Sequence, residues 1–279
     1  MPPSNTFIVY SLVSSTSIAA LFMAGVGPGL VWVGACMIVV AIYAARHPEL
    51  KGKKGPGLKQ DLIILWRAIP SLLTMVIVIG GILIGWFTAT ESSAIAVVYC
   101  LILGFAYKAI KVADLPRIIL EASRTTAIVM LLVGVSSALS WVMAFARIPQ
   151  MVSNLMLGIS NNGTVILIIM MLILLVVGTF MDPTPAILIF VPIFLPIVMT
   201  FGIHPVHFGT MVVYNLCVGL LTPPVGNVLF IASRVAGLRI EPVVAKLVWF
   251  LLALVVGLFV VVFTPAISLA IPTAMGLIT

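Results

Sequence analysis

Residues Leu221–Phe230 read LTPPVGNVLF and lie between two apolar stretches, NLCVGL before them and VLFIASRVA running on to Ala236. Both flanks are typical of a helix at membrane depth. Pro223 and Pro224 remove two backbone donors, and Gly226 allows backbone angles that interrupt a helix. Unwound backbone at this depth is tolerated only where protein surrounds it or a cavity adjoins it. The stretch therefore predicts a helix that is broken inside the membrane.

Two interpretations of this break remain open. Prolines often kink membrane helices for packing alone. A broken helix also offers carbonyl oxygens and a positive helix N-terminus at one place, and Thr222 and Asn227 add side-chain oxygens suited to Na⁺ or to substrate hydroxyls. Two prolines with a glycine and an asparagine exceed what a kink requires, so we favour a binding site.

The composition identifies the class of protein. Of the 279 residues, 63% are hydrophobic and only 8% are charged, whereas a soluble domain carries about a quarter charged residues. A chain of this length can form about six to eight spans of about 20 residues each. We therefore expect an all-α polytopic membrane protein, and the three cysteines, all in apolar segments, are expected to be packing thiols.

The apolar runs predict spans at about 27–46, 69–89, 91–108 and 125–146, two linked runs at 164–181 and 186–203, an interrupted run at 206–235 and a last span at 247–270. Two amphipathic segments, at about 58–69 and 111–124, are expected to lie along the membrane interface.

The basic residues predict the orientation. Ten of the 14 lie within 46–124 and three more within 234–246, and short loops rich in lysine and arginine are cytoplasmic. The C-terminus is then outside, and His204 and His207 are expected to be surface residues of an outside loop.

Only MDPTPA (181–186) separates the runs 164–181 and 186–203. An ordinary external loop and a re-entrant hairpin both return the chain to the same side. A lone acid, Asp182, directly before Pro183 and close to Pro185, without a nearby base, favours the hairpin, because the segment is too apolar for a solvated loop.

The beginning of the sequence repeats the pattern of the break. PPSNTFIVYSLV (2–13) is similar to PPVGNVLFIASRV (223–235), and by the predicted topology the two segments run in opposite directions. Opposed copies of one motif are typical of inverted repeats with a site between them at the membrane midplane. The first copy has no preceding half-helix, so the first repeat is expected to be N-terminally incomplete.

Three motifs in order carry a family resemblance: GWFTATE (85–91), MDPTP (181–185) and NLCVGLLTPPVGN (215–227). They resemble the large membrane (permease) subunit of tripartite ATP-independent periplasmic (TRAP) transporters, over essentially the whole chain but without the N-terminal part of the first repeat. Ala89 stands where proline is usual in the first motif.

The resemblance implies an elevator-type, sodium-driven secondary transporter with inverted repeats, a re-entrant hairpin and broken helices. It implies organic acid substrates of the C4-dicarboxylate, sialic or sugar acid type. The implied partners are a periplasmic substrate-binding protein and a small four-helix membrane subunit; Na⁺ is the coupling ion, without another cofactor or any nucleic acid.

The resemblance also implies the site residues. Its sodium and substrate site takes residues from the hairpin tip and from the break: Gly178, Asp182, Thr184, Asn215, Thr222, Pro223, Gly226 and Asn227. The sodium ion itself is assigned to Asp182, Thr222 and Asn227, with backbone carbonyls supplying much of the ligation. Ser4, Asn5 and Thr6 would be the remnant of the first-repeat site.

The predicted organisation follows from these assignments. Residues 1–26 hold the remnant of the first-repeat broken helix, and 27–68 a span, a basic cytoplasmic loop and an interfacial helix. Second-repeat scaffold helices occupy 69–146 and transport elements 147–246, including the hairpin 164–203 and the broken helix 206–235. A C-terminal span occupies 247–279.

Alternatives to the transporter remain at this point. The chain could be a non-transporting truncated fragment or a membrane scaffold. A less favoured alternative is an intramembrane enzyme. The enzyme is disfavoured because only Asp182 is expected at depth and no histidine accompanies it. Glu91 either couples ions or caps a helix start, and we favour the cap.

Overall fold

The computed structural model describes residues 3–47, 57–160, 162–223 and 225–278. Within these ranges every regular element is helical. The α-helices are α1 (Asn5–Ser14), α2 (Ile18–Ala24), α3 (Val26–Arg46), α4 (Leu58–Leu83), α5 (Ala89–Ala106), α6 (Leu115–Phe145), α7 (Ile148–Ile159), α8 (Gly163–Phe180), α9 (Pro183–Thr200), α10 (Pro205–Gly219), α11 (Asn227–Ala236), α12 (Ile240–Phe263) and α13 (Pro265–Ala274).

Seven helical segments of the described residues are long and apolar enough to cross a membrane. This agrees with the predicted class of all-α polytopic membrane protein. The break predicted around Leu221–Asn227 is present, since α10 ends at Gly219 and α11 begins at Asn227.

The starts of α4 and α6 differ from the predicted spans. The segment 58–69, predicted as a separate interfacial helix, is the first part of α4, and 115–124 is the first part of α6. Pro70 lies inside α4 without ending it, and its carbonyl oxygen accepts a hydrogen bond from the Tyr99 hydroxyl at 2.8 Å. A proline removes the N–H that would donate to the carbonyl oxygen four residues earlier, here that of Trp66, whereas the Tyr99 bond is made to the carbonyl oxygen of Pro70 itself and links α5 to α4.

By its contacts the chain divides into two compact units, residues 43–131 and residues 1–42 with 132–279. In the unit 43–131, α4 packs against α5, and the buried Ser92 hydroxyl donates to the carbonyl oxygen of Val78 at 2.9 Å. Helix α5 begins with a capping box: the Thr88 N–H donates to the Glu91 carboxylate at 2.8 Å, and the Glu91 N–H donates to Thr88 Oγ1 at 3.3 Å. This confirms that Glu91 caps a helix start.

The larger unit has its core around α10, which packs against α8, α9 and α12, while α1 packs mainly against α9. Tyr10 of α1 is fully buried, and its hydroxyl donates to the carbonyl oxygen of Pro205 at 2.7 Å. A Cβ on Gly209 would lie 2.5 Å from the Tyr10 ring. The absence of a side chain at Gly209 therefore lets α1 lie directly on α10.

The prediction that His207 is a surface residue is wrong. His207 lies in the first turn of α10 and is only 3% exposed. Its Nε2 lies 3.2 Å from the carbonyl oxygen of Val262, and its Nδ1 lies 2.9 Å from Ser268 Oγ. A carbonyl oxygen can only accept, so Nε2 carries the proton and Nδ1 of the neutral ring accepts from the Ser268 hydroxyl. The ring is buried because it joins α10 to α12 and α13.

The last predicted span, 247–270, consists of two helices in the structure. Helix α12 ends at Phe263, Thr264 is not helical (φ −125°, ψ 79°), and α13 begins at Pro265. Pro265 lacks an N–H and so cannot continue the hydrogen-bond ladder of α12. The break exposes the Val262 carbonyl oxygen to His207, which is why a polar side chain is accommodated there.

Candidate functional site

The tip between α8 and α9 is very short. Helix α8 ends at Phe180, and Asp182 occupies the N-cap position of α9 with an extended backbone (φ −66°, ψ 152°). Asp182 is exposed, Pro183 is buried and Thr184 is half-buried. The Asp182 carbonyl oxygen accepts from the Ala186 N–H at 3.2 Å. The tip therefore presents a carboxylate at the positive N-terminal end of an 18-residue helix.

The break follows α10 in two tight turns. The Thr222 N–H donates to the carbonyl oxygen of Gly219 at 2.9 Å, and Pro223 continues the bend. Pro224 lies outside the described residues. Gly226 has a φ of +54°, a conformation that costs other residues about 1–2 kcal/mol, and α11 begins at the next residue, Asn227.

The tip and the break are in direct backbone contact. The Gly226 N–H donates a hydrogen bond to the carbonyl oxygen of Thr179, one residue from the end of α8, at 3.1 Å. Next to this bond, α8 and α10 cross at Gly178 and Gly219. A Cβ on Gly219 would lie only 2.7 Å from the carbonyl carbon and the Cα of Gly178. The predicted residues Gly178 and Gly226 are thus brought together with α10.

Two carbonyl oxygens converge beside Gly226. The oxygens of Leu220 and Thr222 each lie 3.2 Å from the point that a Cβ on Gly226 would occupy. Hard cations such as Na⁺ prefer oxygen ligands, and unwound backbone in membrane proteins supplies them. The break therefore offers a local cluster of acceptors of the type that binds a cation.

The Thr222 hydroxyl donates to the carbonyl oxygen of Val218 at 2.8 Å. Its oxygen keeps lone pairs for a further donor or a cation, because a hydroxyl accepts as well as donates. Asn227 belongs to the predicted site, but its side chain is not among those described.

Asn215 lies one helical turn before Gly219, within the packed surface between α10 and α8. It is 1% exposed, and its Nδ2 donates to the carbonyl oxygen of Met171 at 2.8 Å. Its Oδ1 has no hydrogen-bond partner among the described residues. The amide therefore fixes the register of α8 on α10 and retains one acceptor.

The residues predicted as the first-repeat remnant form the start of α1. Ser4 is the N-cap residue, with an extended backbone, and the hydroxyl oxygens of Ser4 and Thr6 lie 2.7 Å apart in a hydrogen bond. Asn5 is the first residue of the helix and is exposed.

Sequence reasoning did not identify Thr179 and Leu220. Each contributes a backbone carbonyl oxygen. Because every residue type has one, the residue type does not reveal this role. The available signal was their position, since Thr179 adjoins Gly178 and Leu220 lies four residues before Pro224, which cannot donate to it.

Comparison with known proteins gives one family match and several relatives. Residues 1–267 match the family described as "Tripartite ATP-independent periplasmic transporter, DctM component". The protein named YgiK of Salmonella typhimurium is 48% identical over 274 residues, covering 98% of this chain and 63% of the relative.

Two further relatives carry functional names. The C4-dicarboxylate TRAP transporter large permease protein DctM of Pseudomonas aeruginosa is 36% identical, covering 99% of this chain and 65% of the relative. The sialic acid TRAP transporter large permease protein SiaM of Vibrio cholerae is also 36% identical, covering 98% and 64%. The chain therefore spans slightly less than two thirds of the length of these relatives.

Proposed function

Since the chain belongs to the DctM component family of tripartite ATP-independent periplasmic transporters, we propose that it acts as the permease part of a sodium-driven secondary transporter for organic acids. Membership in this family identifies a multi-pass protein of the bacterial inner membrane and not an enzyme. Seven helical segments among the described residues are long and apolar enough to cross a membrane, which agrees with this.

The sodium site is proposed to lie between the α8–α9 tip and the break after α10. The observation that carries this proposal is the hydrogen bond from the Gly226 N–H to the Thr179 carbonyl oxygen, because it holds the tip against the break. The carbonyl oxygens of Leu220 and Thr222 converge beside it. The Asp182 carboxylate supplies the negative charge that would compensate a monovalent cation at this depth.

The substrate class is inferred from chemistry that the named relatives share. Two of them are named for C4-dicarboxylates and for sialic acid, and both are anionic organic acids. Co-transport with sodium would compensate that negative charge during passage through the membrane. A periplasmic binding protein and a small membrane subunit are the proposed partners, as is general for this family.

Sodium binding can be tested on the purified chain itself. Its thermal unfolding in detergent is followed while NaCl replaces choline chloride at constant ionic strength. A ligand that binds only the folded state stabilises it by about 2.7 kcal/mol at a hundredfold excess over its dissociation constant. We expect a saturable rise of the unfolding temperature with Na⁺ and little rise with K⁺.

Three variants test the assignment. Asp182→Ala and Asn227→Ala should remove the Na⁺ response, whereas Asp61→Ala, which removes an exposed acid from the first turn of α4, should retain it. In the permease assembled with its partners, the two site variants should also abolish sodium-dependent uptake. A normal Na⁺ response in both would contradict the site, and Thr222–Asn227 would then be a packing kink.

A further inference from the structure

A buried histidine lies at the start of α10, away from the proposed sodium site. His207 is the third residue of this helix, about 18 Å along the helix from Gly219. It is 3% exposed, and its ring bonds to residues 55 and 61 positions later in the sequence. Nothing in the proposed function uses this side chain, although histidine is the residue whose charge changes most readily near neutral pH.

The two partners of His207 lie on either side of the break between α12 and α13. The carbonyl oxygen of Val262, in the last turn of α12, lies 3.2 Å from Nε2. The hydroxyl oxygen of Ser268, in α13, lies 2.9 Å from Nδ1. Ser268 is fully buried. The ring is therefore a polar link that ties α13 to the start of α10.

Helix α13 depends on such contacts for its position. It has ten residues and two prolines, Pro265 and Pro272, and a helix this short is only marginally stable without packing. It packs against α2, α10 and α12. Only two of its residues, Ser268 and Pro272, are buried. The bond from Ser268 to His207 thus starts from one of the two points at which α13 is anchored in the core.

The bonds of the ring require its neutral form. In that form Nε2 donates to the Val262 carbonyl oxygen and Nδ1 accepts from the Ser268 hydroxyl. A proton on Nδ1 turns this acceptor into a donor, so the Ser268 hydroxyl must rotate and its own proton loses this partner. The added charge would also be buried, which is unfavourable unless an opposite charge faces it.

Among the described residues, no acidic side chain faces the ring. Helices α2, α8, α9 and α13 contain no titratable side chain. The titratable groups on or next to the other elements of this packing are Tyr10 on α1, His204 before α10, Tyr214 and Cys217 further along α10, Glu241 and Lys246 near the start of α12, and Asp182 before α9. Glu241 lies about 30 Å along α12 from Val262, and Asp182 lies about 27 Å from the end of α9 that adjoins α10.

The two helix ends beside the ring act in opposite directions. The C-terminal end of α12 favours a cation, and the N-terminal end of α10 disfavours one by a similar amount. The burial of the ring therefore decides the balance, and it favours the neutral form.

We propose that His207 is a pH-dependent lock, in which the neutral ring holds α13 against α10 and protonation of the ring releases α13. By the predicted orientation the start of α10 faces the outside, so the lock responds to the external pH. A histidine in water has a pKa of about 6.5, and the released ring takes up a proton at that pH, whereas the locked ring stays neutral. The lock is thus fully stable above about pH 6.5 and becomes weaker as the pH falls below it.

Hydrogen exchange of the purified chain in detergent, without Na⁺, tests this lock at pH 8 and pH 5. Each amide rate is divided by that of an unstructured peptide at the same pH, which gives a protection factor. For a ring that is protonated only when released, the released fraction increases about 30-fold between these two pH values. We expect the protection of α13 to fall by about tenfold or more, while that of α5, in the other unit, changes less than about twofold.

Two variants assign the effect to one ring. His207→Gln keeps an N–H donor and an oxygen acceptor but carries no charge at any pH, so the protection of α13 should become independent of pH. His204→Asn removes the neighbouring titratable group, keeps an acceptor for the Val206 N–H, and should retain the pH dependence of the wild type.

Three results would overturn the lock. They are equal protection of α13 at the two pH values in the wild type, an equal fall in α13 and α5, and a fall in His207→Gln as large as in the wild type. The ratio between the two pH values within each variant decides, so a lower stability of His207→Gln at both pH values does not affect the test. Because Na⁺ is absent, the result is also independent of the proposed sodium site.

Discussion

The backbone N–H of Gly226 donates to the carbonyl oxygen of Thr179 at 3.1 Å. This single bond joins the end of α8 to the residue that precedes α11, and it depends on Gly226 having a φ of +54°. The two prolines explain why the helix stops, whereas this bond explains where the chain goes next.

Replacement of Gly226 by alanine should be costly for two reasons. Alanine at this φ loses about 1–2 kcal/mol, and its Cβ would lie 3.2 Å from the carbonyl oxygens of Leu220 and Thr222. We expect Gly226→Ala to lower the unfolding temperature and to abolish the Na⁺-dependent increase.

Gly237, at the other end of α11, is the matched control. Its φ is +66°, and nothing lies within 4 Å of the position of a Cβ. Gly237→Ala should therefore lose about the same 1–2 kcal/mol of backbone energy and keep the full Na⁺ response. Loss of the response in both variants would mean that it follows overall stability and not the geometry at Gly226.

The crossing of α8 and α10 gives a second prediction. A Cβ on Gly219 would lie 2.7 Å from backbone atoms of Gly178, and backbone cannot rotate away as a side chain can. Gly219→Ala should lower the free energy of unfolding by about 1–3 kcal/mol, as overpacking does. Gly134→Ala in α6, where nothing lies within 4 Å, should cause no loss. Equal stability of the two variants in denaturant unfolding would show that the helices separate easily at this point.

Labelling of single cysteines tests whether residues 164–203 form a re-entrant hairpin, which stays a prediction. In a variant without Cys36, Cys100 and Cys217, cysteines at Thr184 and His204 are compared, because both residues are half-buried in the structure. If the tip lies at membrane depth, the Thr184 cysteine should react at least about tenfold more slowly with a large impermeant reagent added outside, since such a reagent does not enter lipid. Equal rates would identify an ordinary external loop.

Much of the fold could be predicted from local chemistry. The break at Leu221–Asn227 follows from Pro223 and Pro224, and the start of α5 follows from Thr88 and Glu91. The family matches confirm the resemblance that the three motifs carried. These features depend on residues close to one another in sequence, and proline, glycine and capping residues identify them directly.

The features that could not be predicted depend on contacts between distant segments. Nothing near His207 in the sequence indicates that Val262 and Ser268 will satisfy its ring, so the sequence alone predicts a surface residue for a histidine between apolar runs. In the same way, the Thr179 carbonyl oxygen acquires its role only because α8 and α10 cross at Gly178 and Gly219. Such partners become evident only when the packing of the helices is known.

The last prediction concerns His207. It is buried with hydrogen bonds to the Val262 carbonyl oxygen and to the Ser268 hydroxyl, at 3.2 and 2.9 Å. His207→Ala would leave both groups buried without this partner, at about 1–3 kcal/mol each. His207→Gln retains an N–H donor near the position of Nε2 and should lose less stability. His204→Ala, three residues earlier, removes only the cap bond to the Val206 N–H and should cost about 1 kcal/mol.

These three variants are compared by thermal unfolding of the purified protein, with and without Na⁺. We expect the wild type to be the most stable and His207→Ala the least stable. His204→Ala and His207→Gln should lie between them, with similar stabilities. The Na⁺ response should persist in all three, because the ring joins α10 to the α12–α13 break, three helical turns from Gly219 along α10. If His207→Ala were as stable as His204→Ala, the buried ring would not hold these helices together. If it lost only the Na⁺ response, His207 would belong to the site and not to the packing of the helices.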